Sequence, residues 1–384
     1  MVRVLCSAVI GVMGVWESHA ATASVAIPAS TIAAWTGDNA DSDPLGLAFN
    51  GGTLFFFEGR SVGNGDPMNV TRALLHATWP GAALGIQLRE SEMRALTAQP
   101  GAIFTVLDLC ALPGGGVAAI LNDTLTGSEF LVRTTIPSTG ALLVQGTGAE
   151  GAVAIAADAS AQRLYVLATA SQGAASPGLL FLDLSGSIPA PALTMHAAQA
   201  GLAAALTTGG TAQWLPSDLT VQGDGDVIIF NAGPNIGSGG DLGSDGDAVR
   251  VTPAGAVSLF FDRSLLDGVT GDPGTTGYDG AVIAGESDHI LIAAFETDGG
   301  GATTAQEFLA RVSPDGTSAT LVKTEAQIVA DLGGGATDLS FSRRGVVLDG
   351  PENLLWSANG GGIPQGILQL SGPVPAELSA FGAD

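Results

Sequence analysis

One unit recurs along this chain, and its clearest copy runs from Ser217 to Asp262. Within it, Leu219 to Val221, Val227 to Phe230, Ala248 to Thr252 and Val257 to Phe261 are short runs rich in Val, Ile and Phe. Gly223-Asp224-Gly225 separates the first two, a long Gly/Asp stretch the next two, and Pro253-Ala254-Gly255 the last two. β-Branched and aromatic runs bounded by Gly, Asp and Pro read as strands joined by turns, because those residues tolerate or preset the backbone angles a turn needs. Four antiparallel strands in about fifty residues make one blade of a β-propeller.

The remaining sequence aligns as copies of this unit. First strands begin at Gly46-Leu47, Asp108-Leu109, Ala152-Val153, Asp218-Leu219, Asp279-Gly280 and Asp338-Leu339. Third strands centre on Arg72, Arg133, Asp183, Arg250, Arg311 and Gln369. Both series give six copies, at intervals of 62, 44, 66, 61 and 59 residues and of 61, 50, 67, 61 and 58 residues, as in a repeat architecture. The expected fold is all-β: a six-bladed propeller of four-stranded antiparallel blades. Many small sheets then close into one body, which accommodates 384 residues in a single domain over residues 21–372.

A second motif lies between the copies. Ser30-x-Ile32-x-x-Trp35-Thr36, Ser91-x-Met93-x-x-Leu96-Thr97 and Ser264-x-Leu266-x-x-Val269-Thr270 share one form, with looser versions at Gly201 to Thr207 and Thr324 to Leu332. Apolar residues three apart share one side of a helix and Ser is a good N-cap, so each reads as a short helical turn between blades. Ser24 to Ile27 precedes the first such turn, where a fourth strand sits elsewhere. It is expected to supply the outer strand of the last blade and close the ring; the competing closure uses Ala376 to Phe381.

Charge narrows the function. There are 37 acidic residues against 13 basic ones, Lys323 is the only lysine, and the formal charge is -24. Nucleic acid and anionic membranes need a basic surface, so neither is an expected partner. Calcium prefers carboxylate and carbonyl oxygens and is compatible with this balance, as is plain surface solvation. Residues 1–20 read as a secretory leader, with Arg3, an apolar run from Val4 to Trp16 and the small-x-small site Ser18-His19-Ala20. That run is too short to span a bilayer and no later stretch is long and apolar enough, so a periplasmic or extracellular protein is expected, without membrane insertion after cleavage. Cys6 lies in the leader, which leaves Cys110 without a disulfide partner and excludes a cysteine-based zinc site.

The blade pattern is apolar strand, Asp-Gly turn, an apolar strand ending in Asn or Glu, then Arg-Val-Ser/Thr-Pro-x-Gly. This resembles the NHL and gluconolactonase-like six-bladed propellers, over roughly Ser24 to Gly372. The inter-blade turns, leader and Ala/Gly content also resemble secreted bacterial propellers that carry PEP-CTERM sorting tails. Residues 373–384 depart from that tail, since Pro373-Val374-Pro375 leads into Ala376 to Asp384 without an apolar span or basic end. In the gluconolactonase family the resemblance implies a calcium-like ion at the channel mouth, held by Glu, Asn, Asn and Asp. Asn231 and Asn359 would take two of those places, but Asp43-Pro44-Leu45 stands where the family has its first Glu.

In a propeller the second-to-third strand loops and the inter-blade connections open on one face. Second strands here end at Glu58, Asn122 with Asp123, Thr169, Asn231, Glu296 and Asn359, so five blades of six are expected to offer Asn or Glu at one repeated position. Glu58, Asn122, Asn231, Glu296 and Asn359 are therefore the candidate ligand-binding residues. The same groups also serve as ordinary turn caps. Asp241, Asp245 and Asp247 lie in the longest of these loops and partly resemble an EF-hand calcium loop, without an acid at the third position or Glu at the twelfth. Asp38 to Asp43 is a second acidic cluster. Gly59-Arg60-Ser61-Val62-Gly63 fits a hydrolase elbow but lacks a following helix, and Gly146 to Gly151 fits Gly-x-Gly-x-x-Gly but falls on a blade junction. His76, His196 and His289 are widely spaced.

Three functions are compatible with this sequence. The first is a secreted, non-catalytic propeller that binds a small molecule, glycan or protein on its loop-rich face, with calcium as a candidate stabilising ion. The second is a metal-dependent, lactonase-like hydrolase. The third is a structural component of an extracellular matrix.

Overall fold

The computed structural model describes residues 22–36, 44–59, 72–81, 83–113, 115–135, 139–145, 150–158, 160, 162–185, 193–233, 243–271, 276–284, 289–298, 307–333, 340–349, 353–359 and 366–371. Six separate four-stranded antiparallel sheets are arranged as a ring, a six-bladed β-propeller. Blade one comprises Pro44–Asn50, Thr53–Glu58, Ala73–Thr78 and Ala83–Arg89, from the axis outward. Blade two comprises Phe104–Ala111, Val117–Asp123, Glu129–Thr135 and Thr139–Gln145. Blade three comprises Ala152–Asp158, Arg163–Ala168, Gly178–Asp183 and Thr194–Ala198. Blade four comprises Pro216–Val221, Val227–Asn231, Ala248–Val251 and Val257–Phe261. Blade five comprises Thr276–Ala284, Ile290–Asp298, Glu307–Val312 and Ala319–Thr324. Blade six comprises Ser340–Asp349, Asn353–Asn359 and Gly366–Ser371, and its outer strand is Thr22–Pro28 from the other end of the chain.

That last pairing closes the ring. Thr22 faces Ser371, Val25 faces Leu368 and Ile27 faces Ile367. Ile27 is fully buried, with Ile32, Phe56, Leu355 and Ile367 in the same cluster. Asp331, at the end of the helical turn after blade five, accepts the Ala23 N–H at 2.8 Å and ties the strand to that turn.

Apolar wedges between the blades form the core. Phe55, Phe57, Phe104 and Phe130 pack between blades one and two. Tyr165, Leu167, Leu219 and Ile229 do so between three and four, and Phe230, Tyr278 and Phe308 between four and five. Each fully buried side chain of this size contributes about 1.5–3 kcal/mol, so the interfaces between sheets supply most of the stability.

Among the described residues, five short α-helices occupy inter-blade connections: Ala29–Thr36, Glu90–Thr97, Gln199–Ala204, Ser264–Thr270 and Glu325–Asp331. Each drives one apolar plug into the ring, namely Ile32, Met93, Leu202, Leu266 and Ile328. The closing threonine of the motif bonds back to its own helix. Thr97 Oγ1 donates to Met93 O at 2.9 Å and Thr270 Oγ1 to Leu266 O at 3.2 Å. The expected serine caps are corrected. Each outer strand runs straight into its helix, so capping falls to other residues. Glu92 accepts the Arg89 N–H, Asp262 accepts the Ser264 N–H, and Thr324 pairs with Gln327 in a capping box.

A register slip between third and fourth strands recurs at one level in every blade. It lies at Leu74/Leu75, Leu131/Val132, Leu179/Leu180, Ala248/Val249, Leu309/Ala310 and Ile367/Leu368. Measured from this level, several positions of the sequence alignment shift. His76 rather than Arg72, and Phe181 rather than Asp183, stand level with Arg250. Ala281 rather than Asp279, and Ala154 rather than Ala152, stand level with Asp218. In blade six the strand ends at Asp349, not Phe341, and Val347 and Leu348 reach the channel. Strand length contributes to the shift in blade five: Asp279 stands five residues before the strand end at Ala284, whereas Asp108 and Asp218 stand three before Ala111 and Val221.

This architecture makes two predictions. Ile27→Ala should destabilise the protein by about 2–4 kcal/mol, as for other fully buried Ile-to-Ala changes, in urea unfolding; half-buried Val25→Ala should lose clearly less. In the turn Ser313–Ser318, Asp315 accepts Ser313 Oγ at 2.6 Å, Thr317 Oγ1 at 2.8 Å and Thr317 N–H at 3.1 Å. These bonds hold its carboxyl at about 2, below the ordinary 3.8. A depressed carboxylate stabilises the fold above the unfolded value and loses that effect as pH falls through the folded one. The contribution of this turn should therefore vanish between pH 3.8 and about 2. Carbon-13 titration of Asp315 should show the low midpoint, and Ser313→Ala should raise it.

Candidate functional site

Strand direction alternates within each blade, so the second-to-third connections and the helical turns emerge at the same end of the ring. This is the loop face, and the candidate residues are distributed over it unequally. The second-strand residues opposite the recurrent register slip are Phe57, Ile120, Leu167, Phe230, Ala293 and Ser357. Glu58 and Asn231 immediately follow this level. Asn122, Thr169 and Asn359 stand one residue further, and Glu296 two. Strand side chains alternate between sheet faces, so one step reverses the side to which a residue belongs. The expected single ring of Asn and Glu is corrected accordingly: Glu58 and Asn231 share a level, and the others do not.

Both of these residues are buried. Asn231 acts as a staple. Its Oδ1 accepts the Leu215 N–H at 2.8 Å, and its Nδ2 donates to Gln213 O at 2.9 Å and to Ser244 O at 3.0 Å. Its backbone continues the pattern, with Asn231 N–H donating to Asp247 O and Gly246 N–H to Asn231 O. Asn122 is half-buried, and its Oδ1 lies buried without a hydrogen-bond partner. For Glu296 and Asn359 the backbone register is described, at Tyr278 and Ser340 respectively.

The described acids of the blade-four loop are built into the protein and not presented to solvent. Ser244, Asp245 and Asp247 are fully buried. Asp247 accepts the Thr207 N–H at 2.8 Å and the Arg263 N–H at 2.9 Å, one on each oxygen. It thereby joins the connections that enter and leave blade four. Ser244 Oγ meets Thr208 Oγ1 at 2.6 Å. The Asp245 carboxylate lies against Gly233, where a Cβ would come within 1.7 Å of its Oδ1, so only glycine fits there. A calcium ion needs several converging oxygens. Both Asp247 oxygens and the Asn231 oxygen already accept backbone N–H groups. Among the described residues no group of three or more His, Cys, Asp or Glu could hold a metal. Asp241 and the Asp38 to Asp43 cluster lie outside the described residues, as do residues 60–63 of the elbow-like motif and 146–149 of the glycine motif.

A second staple shapes the loop face on blade two. Asp123 Oδ1 accepts the Ile103 and Leu125 N–H groups at 3.2 and 3.1 Å, and its Oδ2 accepts Thr126 Oγ1 at 2.7 Å. The turn is thus held from three sides, yet Leu125 at its tip is 65% exposed. Trp35, on the helix before blade one, is 41% exposed on the same face. Neither residue was singled out from sequence as a site, because an apolar residue in a turn gives no motif. The histidines serve as packing groups. His196 lies 5.4 Å from the Tyr165 ring with Nε2 3.1 Å from Thr252 O, and His76 packs over Gly85 beside Phe55. Burial lowers the His76 pKa.

No protein-family model matches the chain, and no curated protein matches it. Solved structures with a similar fold include a protein of unknown function from Dyadobacter fermentans, at 12% identity and TM-score 0.47, covering 91% of this chain and 96% of that one. A prolyl endopeptidase is similar at 12% identity and TM-score 0.44, covering 86% of this chain but 47% of that one. A nidogen/laminin complex is similar at 12% identity and TM-score 0.40, covering 66% and 75%. None of these scores reaches 0.5, and the propeller assignment rests on the strand pairing itself.

Asn231→Ala would leave a buried N–H and two carbonyls unpaired. It should destabilise the protein by about 2–4 kcal/mol in urea unfolding, whatever calcium is present. Chelator should leave the wild-type and Asp247→Asn melting temperatures unchanged, with Asp247→Asn lower in both buffers.

Proposed function

We propose that this protein is a secreted propeller that recognises a protein, glycan or small molecule through its loop face. The observation that carries this reading is Leu125: an apolar side chain largely open to water on a turn immobilised by the Asp123 staple. A rigid exposed anchor loses little conformational entropy on binding, which is the property of an interface hot spot. Trp35 adds an aromatic anchor of the kind most enriched at such spots. The basic start, apolar run and small-x-small site of residues 1–20 support export. No helix among the described residues is long and apolar enough to cross a membrane.

The lactonase-like alternative needs Asn231 and Asn359 to converge on a metal. Asn231 Oδ1 accepts the Leu215 N–H, and the Asn359 backbone stands one residue beyond that level.

The test is a binding screen of the immobilised full chain against a glycan array, a metabolite set and extracellular proteins of the same cells. Leu125→Ser or Trp35→Ala should weaken the binder found by about tenfold or more, the range of hot-spot truncations, with melting unchanged. A binder indifferent to both substitutions would refute the loop-face reading.

A further inference from the structure

The first strand of each blade lies at the edge of its sheet, so these strand edges face the central channel. They enclose a cavity of about 300 Å³. The inner strands run from the loop face toward the turns that lead into the second strands. Exposure rises in that direction. Leu109, Ile155 and Leu219 are buried, whereas Ala111, Ala157 and Val221 two residues on are half-buried. The cavity therefore opens at the turn end of the ring, opposite the loop face.

Alternate residues of an antiparallel edge strand turn both N–H and C=O away from the partner strand. Hydrogen bonds from one blade to the next identify these residues here. The Ile155 N–H donates to Asp108 of the preceding blade at 2.7 Å, and the Val282 and Ala284 N–H groups donate to Asp218 and Thr220, each at 2.9 Å. Asp108 and Asp218 also accept the Leu109 and Leu219 N–H groups of their own strands at 2.8 Å. The wall thus spends these donors on its own side-chain oxygens. Among the described residues, no donor reaches the carbonyl oxygens of the same residues. The channel surface is consequently richer in acceptors than in donors.

Its charge has one sign. Asp108 and Asp218 belong to the lining, and among the described residues no Lys, Arg or His joins them. The whole chain carries a formal charge of -24. Surplus acceptors in a negative field disfavour anions and favour a cation that brings its own N–H donors. A bare calcium ion suits the wall less. It needs several converging oxygens, whereas Asp108 and Asp218 stand in separate blades with an N–H on each oxygen. Leu109, Val221 and Ile283 add aliphatic surface beside the carbonyls. The volume is at the lower end of small-molecule pockets.

We propose that the channel binds a small aliphatic ammonium ion, a short alkyl amine or diamine, which enters from the turn end and shares its N–H groups among the inner-strand carbonyl oxygens. This site is independent of the loop-face reading, and either can fail alone.

Putrescine is the probe, titrated into the full chain at physiological salt, which screens the outer surface. Calorimetry should show saturable binding of one diamine per chain. The uncharged analogue, butanediol with terminal hydroxyls, should bind about tenfold more weakly or worse. The largest amide shifts should fall on residues 109–111, 155–157, 219–221 and 282–284. Ala157→Lys and Ala284→Lys bring a positive charge to the lining from two blades, and each should weaken binding by about tenfold or more, as like charges do at close range. Ala254→Lys adds the same charge in an exposed turn at the outer rim and should leave affinity unchanged. The shift map of the unaltered chain decides the matter if a lining variant melts early. Absence of saturable binding would overturn the proposal, as would shifts confined to other residues or a diol that binds as well. Equal weakening by Ala254→Lys, or the same shifts from calcium chloride alone, would overturn it too.

Discussion

Each blade leaves the inner edge of its first strand without a strand partner, and side chains of one blade reach the backbone of the next. Asp108 crosses from blade two to three, and Asp218 and Thr220 from four to five. Asn50 donates from blade one to Leu112 O at 2.8 Å, Gln87 to Thr135 O at 2.7 Å, and Arg250 from blade four to Pro314 O. Each such bond contributes about 1 kcal/mol net, less than one buried Phe or Leu in the wedge beside it. Apolar packing therefore stabilises the ring. The hydrogen bonds set the height at which one blade meets the next, since a buried carboxylate that missed its N–H would lose more than the bond returns.

The same division of labour separates the two ends of the channel. On the loop face, buried Asn231, Asp247 and Asp123 hold connections in place and leave apolar tips outside. At the turn end, the channel wall keeps apolar side chains half-open around a cavity. Asp245 and Asp247 are buried groups under the loop, and Asp247 holds two connections together.

Strand identity and blade count were legible because Val, Ile and Phe runs alternate with Gly, Asp and Pro turns, and tertiary packing reinforces that pattern. The closing strand could be read from Ser24 to Ile27, which stands before a helical turn as the outer strands of blades one, three, four and five do. The level of each strand was not legible. Asp279 looks like Asp108 and Asp218 in sequence, yet its strand runs two residues further before the turn, which moves Asp279 two residues off their level. That error propagates to Glu296, and the supposed ring of Asn and Glu dissolves for the same reason. Leu125 had no sequence signal, since its importance comes from the hydrogen bonds of its neighbour Asp123.

Ring closure by the N-terminal strand is the claim on which the rest depends, and residue-level hydrogen exchange tests it directly. The N–H groups of the Thr22–Pro28 strand that face Gly366–Ser371 should exchange as slowly as those of Gly366–Ser371 itself and open with them as one unit. Rapid exchange of residues 22–28, with protection appearing at residues 376–381, would contradict the account and assign the closure to the other end of the chain.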